Sequence, residues 1–153
     1  MDTNIEKIES LLKEKSINYR LGRYSLNTKN ASQAARQINF PEEQMLKSII
    51  TDSDGDFMLF LIPSPKKINI VKVNQLLKKN INITPKEKVE EITGQRIGTI
   101  TPFYLKTNIP IYLDFSVLNF NEVSVASGVL GIEIILNPEA LKTIVSAQIL
   151  DLN

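Results

Sequence analysis

Residues 45–62, MLKSIITDSDGDFMLFLI, form the most informative stretch of the chain, since they contain two apolar runs separated by a turn sequence. The first run covers residues 45–52, the second covers residues 57–62, and Asp54-Gly55 lies between them. An Asp-Gly pair between two apolar runs is a strong signal of a tight β-turn, because both residues tolerate a positive φ. The stretch therefore predicts a β-hairpin.

The first apolar run contains a charged residue, Lys47, two positions from each of Met45 and Ile49. Side chains two apart on a strand point to the same face, so the ammonium group shares a face with two apolar side chains. One interpretation is an edge-strand lysine whose methylene chain covers apolar surface while its ammonium group reaches water. The other is a partly enclosed cation that neutralises a phosphate or a polarised carbonyl.

The composition indicates a globular protein and excludes several kinds of catalytic chemistry. With 153 residues, of which 42% are hydrophobic and 23% charged, the chain has the length and balance of one ordinary domain. It contains no cysteine and no histidine, which excludes disulfides, thiolate nucleophiles, Cys/His zinc sites and serine–histidine pairs. Any catalysis must use lysine, carboxylates, hydroxyls, backbone amides or the substrate itself, and no metal or other cofactor is expected.

The apolar segments and the first residues predict a cytoplasmic protein without a membrane partner. No apolar segment approaches the roughly 20 residues that a membrane span requires. The chain begins Met1-Asp2 and has no basic region leading into an apolar stretch, so no signal peptide is expected.

Charge is distributed unevenly along the chain. Residues 1–106 hold 17 of the 18 basic and 12 of the 17 acidic side chains, a balance of +5, whereas residues 107–153 carry −4. An ordinary solvated surface explains this difference, and a basic face for a nucleic-acid backbone is the alternative.

The remaining apolar spacings predict short helices mixed irregularly with strands. Helices are expected at residues 3–15, at 31–38 behind an Asn30 cap, around 73–77, at 84–94 and from Asn137-Pro138 onward. For the helix at 84–94, Thr84 and Glu87 form a predicted capping box at the start and Gly94 marks the end. Further strands are expected at 17–24, 81–84, 109–114, 122–127 and 131–136. This mixture predicts an α+β single domain with a central mixed β-sheet or barrel-like sheet surrounded by short helices.

Two further segments carry glycines that invite a functional interpretation. In TGQRIGTITPF, residues 93–103, Gly98 lies in a stretch otherwise rich in Ile and Thr. A glycine there permits close approach of a ligand or another backbone, and a bulge or tight turn is the other interpretation. In SVASGVLGIEI, residues 124–134, two glycines bracket the tip of a predicted hairpin, which a β-turn alone explains.

Taken in this order, these segments resemble the YbaK and prolyl-tRNA-synthetase-associated editing domains, a family that hydrolyses mischarged aminoacyl-tRNA. The resemblance covers nearly the whole chain: an alanine-rich helix before a Lys-Ser strand, the hairpin, a helix, a Thr-Gly dipeptide before a G-x-x-x-P loop, and a Ser-Gly turn before a Pro-initiated helix. The matching stretches are NASQAARQINFPEEQMLKSII (30–50), VKVNQLLKK (71–79), Thr93-Gly94 with Gly98–Pro102, and ASGVLGIEIILNPEALKTI (126–144). The resemblance implies one editing domain over residues 1–153.

The resemblance also implies roles for particular residues. Lys47 matches the family's essential strand lysine, and the G-x-x-x-P loop matches the segment whose backbone amides meet the terminal adenosine and the ester. The implied catalytic residues are Lys47 and Gly98, and the implied substrate-binding residues are Thr99, Ile100, Thr101, Pro102, Ser127, Gly128, Tyr24 and Glu133. The chain departs from the family at Ile97, where a glycine is common, and at Val129 and Leu130, where the turn is often basic.

The function implied by this resemblance is a trans-acting aminoacyl-tRNA deacylase that clears a small amino acid such as Ala, Cys or Ser. Its implied partners are the acceptor end of mischarged tRNA and, as a second candidate, an aminoacyl-tRNA synthetase. Loop amides would stabilise the oxyanion, and a water, assisted by a tRNA ribose hydroxyl, would be the nucleophile. A non-catalytic tRNA- or synthetase-binding module and a small-ligand-binding domain are the two alternatives.

Overall fold

The computed structural model describes residues 3–153, which form five α-helices and eight β-strands. The helices are α1 (Thr3–Glu14), α2 (Ala31–Ile38), α3 (Ile70–Leu77), α4 (Lys86–Thr93) and α5 (Pro138–Ile144). The strands are β1 (Tyr19–Arg23), β2 (Leu46–Ser53), β3 (Asp56–Pro63), β4 (Asn82–Ile83), β5 (Ile111–Asp114), β6 (Val123–Ala126), β7 (Ile132–Leu136) and β8 (Gln148–Leu150). Within this part of the chain, no helix is both long and apolar enough to cross a membrane.

The predicted hairpin forms the middle of a five-stranded sheet with the strand order β4-β2-β3-β5-β8. Strands β2 and β3 are antiparallel, and Ser53 pairs with Asp56 across the turn. Asp54 and Gly55 have φ angles of 50° and 87°, the pair of left-handed conformations that a two-residue hairpin turn of this kind requires. Strand β5 pairs in parallel with both β3 and β8, so this sheet is mixed.

A second sheet contains three antiparallel strands in the order β1-β7-β6. Its β6–β7 turn is the one predicted from the two glycines, and both have positive φ angles, 88° at Gly128 and 92° at Gly131. Met45, just before β2, forms a single parallel bridge to Ser124 of β6. The α+β class is therefore confirmed, but the strands of residues 3–153 form two sheets joined at this bridge and no closed barrel.

The two faces of the five-stranded sheet cover separate apolar clusters, and this explains the position of Lys47. On one face, Leu46 and Ile50 of β2 join the larger core, which also contains Ile8 and Leu12 of α1. The alternate residues of β2 point to the other face, where Ile49 packs against a smaller apolar cluster. That smaller cluster contains Met58, Phe60, Ile62, Val73, Ile81, Tyr112 and Leu152. Lys47 pairs with Ile62 across the hairpin and so lies at the edge of this smaller cluster.

Three of the predicted helix boundaries are confirmed by their hydrogen bonds or backbone. Asn30 Oδ1 accepts a hydrogen bond from the Gln33 N–H at 2.9 Å, and Asn137 Oδ1 accepts one from the Glu139 N–H at 2.9 Å. Gly94 ends α4 with a φ of 72°.

The predicted Thr84 capping box is wrong. The residue before α4 is Pro85, and it makes no side-chain cap. The Thr84 N–H instead donates to the Ile50 carbonyl at 3.0 Å, and its hydroxyl donates to Asp52 Oδ1 at 3.2 Å. Thr84 thus continues the β4–β2 pairing, which leaves its hydroxyl facing the strand rather than the helix.

Candidate functional site

A cavity of about 430 Å³ opens where α2, the start of β2, the 95–101 loop and the β6–β7 hairpin meet. Its lining combines charged, polar and small apolar side chains. The lining residues are Tyr24, Thr28, Lys29, Asn30, Ala31, Ala34, Met45, Leu46, Lys47, Ser48, Ser64, Ile97, Gly98, Ile100, Ala126, Leu130 and Glu133. The cavity therefore brings together five residues that the sequence predicts for the site: Lys47, Gly98, Ile100, Tyr24 and Glu133.

Lys47 supplies a partly buried cation to this cavity. Burial lowers the pKa of its ammonium group, and repulsion from the nearby Lys67 ammonium lowers it further. Lys47 does not take part in any of the ion pairs found within residues 3–153. A cation held in a cavity without a carboxylate partner is suited to binding an anion or a polarised carbonyl oxygen.

Glu133 supplies a carboxyl group to the same cavity. Only 6% of the residue is exposed, and its Oε1 accepts a hydrogen bond from the Ser124 hydroxyl at 2.9 Å. Burial raises the pKa of Glu133 to about 7, although the bond from Ser124 opposes this rise. The pKa of the neighbouring Tyr24 is also raised, first by burial and further by the charge of Glu133. The cavity thus holds an acid that changes charge near neutral pH.

In the loop between α4 and β5, some backbone N–H groups donate hydrogen bonds within the protein and others do not. Gly98 has a φ of 90°, and a Cβ added there would meet no atom within 4 Å. The Thr99 N–H donates to the Arg96 carbonyl at 3.0 Å, and the Thr101 N–H donates to Gln95 Oε1 at 2.7 Å. Among the described residues, the amides of Ile97, Gly98 and Ile100 have no such partner and these residues line the cavity, whereas the amides of Thr99 and Thr101 are already engaged.

Gln95 holds this loop in place, a role that the sequence analysis missed. Its Oε1 accepts the hydrogen bond from the Thr101 N–H, and its Nε2 donates to the Thr101 carbonyl at 3.3 Å and to the Tyr104 carbonyl at 2.7 Å. From the other side, the Ser48 hydroxyl donates to the Ile100 carbonyl at 3.0 Å. The peptide group between Ile100 and Thr101 is therefore fixed at both its oxygen and its N–H, beside Lys47.

Pro102, Ser127 and Gly128, which the resemblance predicts as substrate-binding residues, do not line this cavity. Pro102 borders a separate hollow, which it shares with residues 103–105, 108–111 and 144–146. Ser127 is fully buried, and its hydroxyl donates to the Ile132 carbonyl at 2.7 Å within the β6–β7 turn. A Cβ on Gly128 would lie 3.5 Å from Gln95 Oε1 and from Thr101 Cγ2. The Ser-Gly turn therefore packs behind the loop and supports it.

Thr99 and Thr101 also face inward rather than into the cavity. They are 7% and 1% exposed, and the Thr99 hydroxyl donates to the Arg96 carbonyl at 2.7 Å. The α2 side of the cavity, which includes Lys29, Ala31 and Ala34, was not predicted from the sequence. The alanine-rich composition of α2 was the available signal, because small side chains on one helix face leave space. No cluster of potential metal ligands occurs within residues 3–153.

A family model, that of the aminoacyl-tRNA editing domain, matches residues 26–144. The chain belongs to this family. The matched range contains Lys47, the 95–101 loop and Glu133, and it confirms the resemblance described from the sequence. Membership of the editing-domain family therefore applies to most of the chain and to most of the cavity.

Relatives of known sequence and structure agree with this assignment. The editing domain is 30% identical over 102 residues to the proline–tRNA ligase of Staphylococcus haemolyticus, covering 66% of this chain and 18% of the ligase. It is 28% identical over 119 residues to the uncharacterized protein YwhH of Bacillus subtilis, covering 77% of this chain and 76% of YwhH. The chain thus spans about a fifth of the ligases it matches and about three quarters of YwhH.

A solved structure shows the same fold. The crystal structure of a proposed trans-editing enzyme for prolyl tRNA synthetase superposes with a TM-score of 0.88 at 24% identity. The match covers 100% of this chain and 98% of that one. The eight strands and five helices of the editing domain described here therefore form a known architecture.

Proposed function

We propose that this editing domain is a trans-acting aminoacyl-tRNA deacylase that hydrolyses the ester of a tRNA carrying a wrong, small amino acid. The observation that carries the proposal is the convergence of Lys47, the available Gly98 and Ile100 amides and Glu133 on one cavity. Family membership supports aminoacyl-tRNA deacylation in general, and the residues at the cavity support the particular roles below. We take residues 1–153 as one such domain.

Loop N–H groups and a water molecule would act on the ester carbonyl. The Gly98 and Ile100 N–H groups would donate to the oxyanion that forms when water attacks the carbonyl carbon. The bond between the acyl carbon and the ribose oxygen then breaks, the ribose oxygen takes the proton that the attacking water gives up, and the free amino acid and an uncharged tRNA leave. An aminoacyl ester is already activated, so positioning and charge stabilisation suffice without histidine. A ribose hydroxyl of the terminal adenosine would help to hold the attacking water.

Lys47 and Glu133 would bind opposite ends of the substrate. The Lys47 ammonium would contact the phosphate or the carbonyl end of the acceptor terminus. Glu133, when ionised, would accept hydrogen bonds from the α-ammonium group of the esterified amino acid, with Tyr24 beside it. One cation and one carboxyl group in the same cavity thus suit a substrate that is anionic at one end and cationic at the other.

The part of the cavity wall that would hold the amino-acid side chain is apolar. Ala31, Ala34 and Ala126 contribute only methyl groups, and Met45 and Leu130 close the remaining apolar part. The alanines leave room for a side chain, and we infer that Met45 and Leu130 would limit its size, so that Ala, Cys or Ser is accepted and larger residues are not. One methylene group is worth roughly 1–3 kcal/mol of discrimination, which is why synthetases need a second, hydrolytic site.

The proposed partner is the acceptor end of mischarged tRNA, and the proposed location is the cytoplasm, where tRNA is charged. The match to proline–tRNA ligases suggests tRNA charged by that enzyme as the first substrate to examine, with the ligase itself as a second candidate partner. Action in trans is supported by YwhH, most of which consists of the region matched here.

The test is a deacylation assay on tRNAs that are mischarged with Ala, Cys or Ser, compared with the same tRNAs carrying their cognate amino acid. We expect native protein to release a small amino acid from a mismatched tRNA, and Lys47→Ala to slow this release at least 100-fold, as loss of a charge-stabilising group does. Lys88→Ala is the matched control, since Lys88 lies on α4 and pairs with Glu91 at 3.6 Å. Native protein that binds tRNA but releases no amino acid would instead indicate a binding module.

A further inference from the structure

Ser48, the residue after Lys47 on β2, lines the cavity but has no part in the reaction proposed above. It is half-buried, and its hydroxyl donates a hydrogen bond to the Ile100 carbonyl at 3.0 Å. Ile100 is one of the residues whose N–H groups are proposed to meet the oxyanion. The Ser48 oxygen therefore lies beside the part of the loop that would hold the reacting carbonyl.

The hydrogen bond to Ile100 decides what the Ser48 hydroxyl can offer a ligand. A hydroxyl group has one proton to donate and two lone pairs that accept. The Ser48 proton is directed at the Ile100 carbonyl, and no N–H or hydroxyl group of residues 3–153 donates to the Ser48 oxygen. Toward the cavity, the Ser48 hydroxyl is therefore a neutral acceptor whose orientation is fixed.

A water molecule that attacks the ester needs an acceptor at this place. Its oxygen lone pair must point at the carbonyl carbon, so its protons must be turned toward acceptors. The loop N–H groups and the Lys47 ammonium group can only donate. Glu133 can accept, but it is assigned to the α-ammonium group of the amino acid. Ser48 supplies the acceptor that the donors beside the carbonyl lack.

We propose that Ser48 Oγ accepts a hydrogen bond from the attacking water and turns the lone pair of that water toward the carbonyl carbon. This inference rests on the function proposed above and adds Ser48 to it as a catalytic residue. Ser48 keeps its own proton on the Ile100 carbonyl, and the proton that the water gives up passes to the ribose oxygen. Ser48 is not itself the nucleophile, because a peptide carbonyl, and not a base, holds its proton.

The test measures kcat for a mischarged tRNA that native protein deacylates, and compares it with binding of an uncleaved analogue. The analogue is adenosine that carries the same amino acid through an amide at its 3′ position, and calorimetry gives its affinity. Ser48→Ala should lower kcat about tenfold, the loss of one hydrogen bond to the water, and leave the analogue affinity unchanged. Thr143→Ala is the control, since it removes a hydroxyl that donates to the Glu139 carbonyl at 3.1 Å outside the cavity.

A second pair of variants separates the hydroxyl from the shape of the side chain. Ser48→Thr and Ser48→Val introduce side chains of nearly the same shape, and only threonine keeps the hydroxyl. Both are β-branched and suit a strand, so this comparison also serves if Ser48→Ala does not fold. We expect Ser48→Thr to keep most of the native kcat and Ser48→Val to show the tenfold loss.

Three results would overturn the role of Ser48. If kcat and analogue affinity fall together in Ser48→Ala, the hydroxyl only holds the loop. An acyl group found on Ser48 by mass spectrometry would make it the nucleophile. Native activity that persists unchanged in both Ser48→Ala and Ser48→Val would reject Ser48 but keep the deacylase. Native protein that releases no amino acid would instead reject the proposed function, and the role of Ser48 with it.

Discussion

Glu133 is a carboxylic acid enclosed by a β-hairpin and a helix, with one hydrogen bond from Ser124 to its ionised form. Burial outweighs that bond, so the pKa rises from the ordinary 4.5 to about 7. An acid with such a pKa is useful only where its charge matters to a ligand, and here it faces the cavity that also holds Lys47.

The raised pKa of Glu133 predicts a pH-dependent stability. Between pH 4.5 and 7 the folded protein holds the proton and the unfolded chain has lost it, so the free energy of unfolding falls as the pH rises. The contribution is fully present below about pH 4.5, and about 3 kcal/mol of it is lost by about pH 7 to 8. Urea unfolding from pH 4.5 to 8 should show that Glu133→Gln removes this loss.

The control for that experiment is Glu139→Gln, since Glu139 lies on the exposed side of α5 and pairs with Lys142 at 3.8 Å. It should keep the pH dependence of native protein. Parallel stability curves for native protein and Glu133→Gln would contradict the raised pKa. In the deacylation assay, activity should rise through pH 7 as Glu133 ionises, and Glu133→Gln should abolish this rise.

At the scale of elements, the 95–101 loop shows what sequence reasoning reaches and what it does not. The unusual position of Gly98 correctly pointed to the loop, because no other residue type adopts its conformation easily. The sequence did not show which peptide groups are free, since that depends on the side chain of Gln95 and on Ser48 from another strand. Contacts between distant residues are not encoded in local spacing.

Gly98 and Gly55 offer a matched pair for testing this loop. Both have a φ near 90°, and at both an added Cβ would meet no atom within 4 Å, so alanine imposes the same backbone strain. Each substitution should cost about 1 kcal/mol of stability, measured by urea unfolding. We expect Gly98→Ala to lower kcat by at least tenfold, because it shifts an amide that meets the oxyanion, and Gly55→Ala to leave kcat unchanged.

Equal effects of the two substitutions on kcat would show that the loop acts only through stability. A rise in KM alone for Gly98→Ala would also contradict the proposed role, since an oxyanion contact acts in the transition state and affects kcat.

The success of other element predictions depended on how local their signals are. The Asp54-Gly55 turn and the Asn30 and Asn137 caps are satisfied within four residues, and all three were predicted correctly. Thr84 carries an equally good local signal, yet pairing with β2 takes its hydrogen-bonding groups first. Strand β8 was not predicted, because three residues give no readable alternation and the pairing with β5 forms it.

At the scale of the whole molecule, the charge difference between the two parts of the chain agrees with an RNA-end-binding protein. The first 106 residues carry +5 and contain Lys47, whereas the rest carries −4. The sequence showed this imbalance but not its meaning, because only the fold places Lys47 at the cavity.

This arrangement predicts a salt-dependent affinity for uncharged tRNA. Each phosphate contact that is lost removes about one unit from the slope of log K against log salt concentration. Filter binding or fluorescence anisotropy from about 50 to 300 mM salt should therefore give a slope for Lys47→Ala that is shallower by about 1. Lys142→Ala, a change in the acidic part of the chain, should leave the slope unchanged, and an unaltered slope for Lys47→Ala would argue against the contact.

The alanines of the cavity wall have an evolutionary consequence. Ala31 and Ala34 on α2 and Ala126 on β6 lie apart from the lysine and from the peptide groups of the loop. Replacing one of these methyl groups by a bulkier side chain would narrow the space for the amino acid without moving a reacting group. If the proposed deacylase function holds, duplicated copies of such a gene can therefore diverge in the error they correct through single substitutions, and each intermediate keeps its reacting groups in place.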